Sequence, residues 1–209
     1  MLGQGAYPLT DVARYAQLPP ATARSWFKWR SDKAGRGPIF KSDLAPVGKD
    51  FAVSFLDLID AYVARFFFNA EVKPATIRSA YRKLQADLDT PHPFAHVDLC
   101  AGDGRILRTT ELVDVINKQK WFGEMKQSLT HLDYEPVSKL ASRWNIAEGV
   151  VIDPRVGFGR PTVKSSGVTT YVLAKQYTAN KRNAALVAEL YNVQERDVLN
   201  AARFEARAA

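Results

Sequence analysis

The sequence predicts a mainly helical fold with small β elements, an α+β chain, on three observations. Apolar residues recur at helical spacing near the N-terminus, through the middle and over the C-terminal end. Short β-branched segments bounded by proline and glycine stand between them, at Val150 to Asp153 and around Thr162. The 209 residues, 46% of them hydrophobic, suffice to bury a core in one or two domains.

Composition excludes several classes. Charged residues make up 24%, which opposes wholesale disorder. The strongest apolar run, Phe51 to Phe68, is interrupted by Asp57, Asp60 and Arg65, so no membrane span is expected. The opening MLGQGAYPLTD has neither the basic region nor the apolar core of a secretory signal. Cys100 is the single cysteine, so no intrachain disulfide forms and a cytoplasmic home is expected. A formal charge of +7 favours a polyanionic partner. Residues 1–49 hold eight Lys or Arg against three Asp, whereas residues 50–90 hold five basic and six acidic side chains. The excess lies where a nucleic-acid-reading element is expected.

A first helix begins at Leu9, with Leu9, Val12, Ala13 and Ala16 on one face. Gln17-Leu18 makes a turn, and Pro19-Pro20 opens a second helix at a position that tolerates proline. Ala23, Trp26 and Phe27 form its apolar stripe, leaving Thr22, Arg24, Ser25 and Lys28 on other faces. This is the composition of a helix-turn-helix. Arg24 and Lys28 stand one turn apart and suit phosphates or a guanine edge, while Thr22 and Ser25 suit phosphates. Arg30, Lys33, Arg36 and Lys41 flank Gly35-Arg36-Gly37-Pro38, a basic loop fit to act as a wing or arm. The competing reading is a two-helix corner with a solvated charged face.

Ser54 and Asp57 form a capping-box-like start to a helix running to Asn69, apolar on most sides. Phe66 to Phe68 are expected in the core. Pro74 opens the next helix, with Ile77, Ala80, Tyr81, Leu84 and Leu88 on one face and Arg78, Arg82 and Lys83 on another. Thr90 to Phe94 cannot be helix. His96 to Leu99 and Arg105 to Thr109 are strand candidates around Gly102-Asp103-Gly104. Leu112 to Lys126 is a helix candidate, and Ser128 to Glu135 and Val137 to Trp144 are two strand candidates meeting near Pro136. His92, His96 and Cys100 do not make a metal site, because Pro91 and Pro93 spoil the spacing; neither metal nor cofactor is expected.

Val150 to Asp153 reads as a strand ended by Pro154, followed by Gly157-Phe158-Gly159-Arg160-Pro161. With Pro161 next and no helix opening after the glycines, this is not a nucleotide loop. Three helices follow, over Thr169 to Gln176, Ala184 to Leu190 and Glu195 to Ala206. The last two make a second helix-turn-helix shape across Tyr191-Asn192-Val193. Its Arg196, Arg203 and Arg207 are diluted by Glu195, Asp197 and Glu205, so a dimer or protein interface is the better use.

Two resemblances rest on these residues. The run from Ala13 to Trp26, ARYAQLPPATARSW, resembles the opening of the MerR family of winged helix-turn-helix regulators, with Ser25 where that family has tyrosine. The run from Val150 to Gly167, VVIDPRVGFGRPTVKSSG, and the helices after it resemble the VapB antitoxin-like module. The SFLDLIDAYVARFF and VKPATIRSAYRKL helices resemble those that join the two in such antitoxins. The implied organisation is a helix-turn-helix domain with helical extension over residues 1–94, a β-rich connection over 95–149 and the antitoxin-like module over 150–209. What the resemblance implies is a non-enzymatic, homodimeric antitoxin of a type II toxin–antitoxin system. Such a protein binds double-stranded DNA at its own promoter, represses its operon and neutralises a PIN-like ribonuclease toxin. Expected DNA-binding residues are Thr22, Arg24, Ser25, Lys28, Arg30 and Arg36; expected partner-binding residues are Phe158, Arg160, Arg196 and Arg203. The alternatives are a dimeric MerR-like regulator without a toxin, and a metal-dependent nucleic-acid enzyme using Asp57, Asp60, Asp87 and Asp89. In that comparison Asp57 and Asp60 are read as capping and solvated residues.

Overall fold

In the computed structural model the described residues are 5–28, 37–46, 51–99 and 119–207, of which 119–121 are described by backbone alone. Arg30, Lys33, Arg36, Cys100, the Gly102–Gly104 turn, the strand candidate at Arg105 to Thr109 and the start of the helix candidate at Leu112 lie outside them. The chain forms two units, one within Ala6–Ala141 and one within Ser142–Ala209.

In the first unit, strand β1 (Tyr7–Pro8) pairs antiparallel with β2 (Ala52–Val53), Tyr7 opposite Val53. Between them lie helices α1 (Leu9–Tyr15) and α2 (Pro20–Phe27), and Pro20 occupies the first turn, where its missing amide costs nothing. The connecting turn puts Gln17 in the left-handed region (φ 53°), and the Leu18 amide donates to the Ala13 carbonyl at 2.8 Å. Arg65 donates to the Gln17 side-chain oxygen. Helix α3 (Phe55–Asn69) starts with a complete capping box: Ser54 Oγ accepts the Asp57 amide, and Asp57 accepts the Ser54 amide. Helix α4 (Pro74–Asp87) buries Ile77, Ala80, Tyr81 and Leu84. Phe66 and Phe67 are core residues, as the sequence predicts, and Phe68 is half-buried against Trp26.

The aromatic centre of this unit is Phe40. Its ring sits 4.9 Å from Tyr81, 5.2 Å from Phe27 and 5.9 Å from Trp26, centroid to centroid. The Trp26 and Tyr81 pairs are edge-to-face, which adds about 0.5–1.5 kcal/mol per pair beyond the area buried, and the Phe27 pair is tilted. The residue following the basic loop is thereby welded to the floor of α2.

Four local expectations are corrected. Pro93–Ala95 forms a 3-10 turn where no helix was expected; a 3-10 turn needs only i to i+3 bonds, and Pro93 sits at its start, where no amide is required. Val97–Leu99 is also a 3-10 turn rather than a strand, because the Leu99 amide turns back to the His96 carbonyl and the Asp98 amide to His96 Nδ1. Helix α5 (Gln119–Leu129) runs into the region read as strand, and β3 (Leu132–Tyr134) begins only after it. Residues 135–139 form a turn in which the Glu135 carboxylate accepts the amides of Val137 and Ser138, so the next strand starts at Ala141.

The second unit contains antiparallel neighbours β4 (Ala141–Ala147), β5 (Val150–Ile152) and β6 (Thr162–Val163). Asp153 closes the turn after β5 by accepting both the amide and the guanidinium of Arg155. Gly157, Phe158 and Gly159 are left-handed in succession (φ 58°, 57° and 79°), the sharp reversal for which the glycines are needed. Helices α6 (Thr170–Ala179), α7 (Ala184–Tyr191) and α8 (Glu195–Arg207) follow. Val163, Leu173, Val187, Ala188, Val198 and Ala201 form their shared core. Helices with two small sheets make the chain α+β, as its sequence predicts.

Candidate nucleic-acid interface and a buried aspartate–histidine clamp

Helix α2 divides its side chains cleanly. Ala23, Trp26 and Phe27 are buried, Arg24 and Ser25 are exposed, and Thr22 and Lys28 are half-buried. The four expected contact residues therefore lie off the buried stripe. Arg24 presents its guanidinium to solvent. The Ser25 hydroxyl donates to the Thr22 carbonyl at 2.9 Å, so it is engaged within the helix. The Lys28 ammonium lies 5.2 Å from the centre of the Phe51 ring, which holds it in a cation–π contact. Arg24 is the least constrained of the set.

The end of the basic loop and the stretch after it are anchored three ways. The Phe40 amide donates to the Trp26 carbonyl at 3.0 Å. Arg78 on α4 donates to the Gly37 and Pro38 carbonyls at 2.6 and 3.2 Å. Asp43, further along, enters a cluster with Asp57, Asp60 and His92.

His92 is the centre of that cluster. Its Nδ1 lies 2.7 Å from Asp60 Oδ2 and its Nε2 2.9 Å from Asp43 Oδ2. With a carboxylate facing each nitrogen, the protonated ring can donate from both, which favours the imidazolium. Burial alone lowers its pKa, but the hydrogen bond and charge of Asp60, then the charges of Asp43 and Asp57, push it up to about 9. Asp60 is fully buried on α3, and burial raises its carboxyl to about 6 against the pull of His92. Asp60 is fully satisfied: Oδ1 accepts the amides of Phe94 and Ala95, and Oδ2 accepts Tyr81 and His92. Burial, then the charge of Asp60, holds the Tyr81 phenol well above its ordinary range. Asp57 Oδ2 accepts from Ser42 Oγ and from the amides of Asp43 and Ser54.

The reading of Asp60 as a solvated residue is thus corrected. Asp60 lies on the buried side of a helix that is apolar on most sides and has no route to water, so the fold supplies donors instead. Sequence reasoning missed His92 for want of a partner. The signal was Asp60 itself, an acid inside a run that must be buried. Ligand-capable atoms of Asp43, Asp57 and His92 lie within 4.8 Å of one another. Each imidazole nitrogen also lies within hydrogen-bond distance of a carboxylate, so the same atoms form a histidine–aspartate clamp. Asp87, set beside Asp57 and Asp60 in the enzyme alternative, pairs with Lys83 at 3.4 Å.

In the second unit Phe158 is 83% exposed, and Arg160 beside it is exposed as well. Arg196 and Arg203 are exposed on α8.

No family model matches the chain. A protein of Mycobacterium tuberculosis named "Putative antitoxin VapB45" is 26% identical over 223 aligned positions, covering 93% of this chain and 92% of that protein. The crystal structure of Rv2018 from the same organism matches with a TM-score of 0.72 at 24% identity, over 93% of this chain and 96% of its own. That likeness shows a shared fold along nearly the whole of both chains.

Proposed function

We propose that this chain is a DNA-binding antitoxin of a type II toxin–antitoxin system. In this reading it binds its own promoter as a homodimer through a MerR-like helix-turn-helix, with Thr22, Arg24, Ser25, Lys28, Arg30 and Arg36 at the duplex. It represses its operon and holds a PIN-like ribonuclease toxin inactive. The observation that carries the DNA half is α2, whose basic and hydroxyl side chains lie off a buried apolar floor behind a fixed turn. Pairing two copies supplies the affinity that one short helix lacks. The antitoxin half rests on a relative named as an antitoxin and alike over most of both chains. For the toxin we assign Phe158 with Arg160, since a ring this exposed in a left-handed turn has no role in the core.

Co-expression with the product of the adjacent gene tests the toxin half. A complex that survives purification and suppresses ribonuclease activity supports it. An adjacent product that neither binds nor cleaves RNA favours the regulator without a toxin.

A further inference from the structure

Two of the three acids that dilute the arginines of α8 in the sequence, Asp197 and Glu205, lie on its core side in the fold. Asp197 is 5% exposed, and its Oδ2 accepts Ser165 Oγ at 2.8 Å and the Gln194 amide at 3.3 Å. Glu205 accepts the buried hydroxyl of Thr170. Both acids lie on the side of α8 that carries Val198, Ala201 and Phe204 into the core. The outward side is left with Arg196, Arg203 and Arg207, all exposed and at helical repeat, with Glu195 at the first residue of the helix. Among the described residues Arg196 and Arg203 make no ion pair.

The helix before it is joined through a three-residue turn. Asn192 is left-handed (φ 50°), its amide donates to Glu189, and the Val193 amide donates to Ala188 at 3.0 Å. A short helix, a tight turn and a longer helix with a basic outward stripe form a helix-turn-helix. Arg196 and Arg203 are about 10 Å apart along the axis, against a major groove ~12 Å wide.

We infer that α8 is a second contact with duplex DNA, in which Arg196 and Arg203 neutralise backbone phosphates. This assigns to DNA two residues that the sequence places at a protein partner. It goes beyond the N-terminal reading and does not require it.

The test is a salt titration of the full chain on a DNA duplex, followed by fluorescence anisotropy. Arg196→Gln with Arg203→Gln is compared with wild type, with Arg24→Ala plus Lys28→Ala, and with a charge-matched control, Lys164→Gln plus Lys175→Gln. Circular dichroism establishes that each variant is folded. Two lost phosphate contacts lower the slope of log K against log salt by about 2, so the affinity lost between 50 and 200 mM salt shrinks about tenfold. We expect that change from the α8 pair, in the wild-type and the Arg24/Lys28 background alike, and a smaller one from the control. An unchanged slope in the α8 pair, or an equal loss in the control, overturns the inference. If the α8 pair behaves as wild type while the Arg24/Lys28 pair loses binding, α2 alone touches DNA. If wild type shows no salt-dependent binding, both assignments fall.

Discussion

His92 joins three segments that are far apart in sequence: the loop at Asp43, helix α3 through Asp60 and the turn at Pro93. Its proton is part of the fold, and the sign of the resulting pH dependence follows. The folded pKa, about 9, lies above the ordinary 6.5, so the stabilisation is complete below 6.5 and is lost as pH rises through 9. Asp60 acts in the same direction lower down, because its raised carboxyl favours the folded state increasingly as pH falls through about 6. Thermal unfolding should therefore show stability falling between pH 6.5 and 9, by up to about 3 kcal/mol. His92→Gln should flatten that slope, and a variant with the wild-type slope would contradict the charged clamp. Phe158 is the opposite case, a ring held left-handed and in water. Phe158→Asn should leave the melting temperature unchanged or raise it, since asparagine tolerates this conformation, while weakening the toxin complex. A fall in stability would show that the ring packs.

At the scale of elements, the helices with the strongest periodicity and clearest caps were readable from the sequence. Ser54 and Asp57 announce α3, Pro20 and Pro74 announce α2 and α4, and the C-terminal three fall within a few residues of expectation. Ser54→Ala should destabilise the chain by about 1–2 kcal/mol, because it removes a cap and also the hydroxyl that donates to Asp43. A change of a few tenths of a kcal/mol in chemical denaturation would contradict the capping account. In the described residues between Thr90 and Leu140 the reading failed in part, at Val97–Leu99 and around Glu135, for a physical reason. Short β-branched stretches there are decided by local side-chain acceptors, Glu135 and His96, which turn the backbone back on itself. No periodicity records such bonds. The same holds for the site: Arg24 on an exposed face follows from spacing, whereas the His92 clamp depends on contacts 32 and 49 residues apart.

For the whole molecule, net charge and its placement connect fold to function. Asp57 and Asp60 are buried in the first unit and Asp197 in the second, while Arg24, Arg196 and Arg203 are exposed, so arginines rather than these acids are presented to solvent on α2 and α8. Association with DNA should accordingly weaken steeply with salt. Arg24→Ala alone should lower the salt slope by about 1 without changing the melting temperature. The central claim is that α2 reads the promoter, and binding to the chain's own upstream DNA tests it most directly. That DNA and a scrambled duplex would be titrated at two salt concentrations, with wild type beside Arg24→Ala, Lys28→Ala. The account predicts preference for the upstream DNA, weakened by salt and lost in the variant. Equal affinity for both duplexes, unaffected by the substitutions, would contradict it.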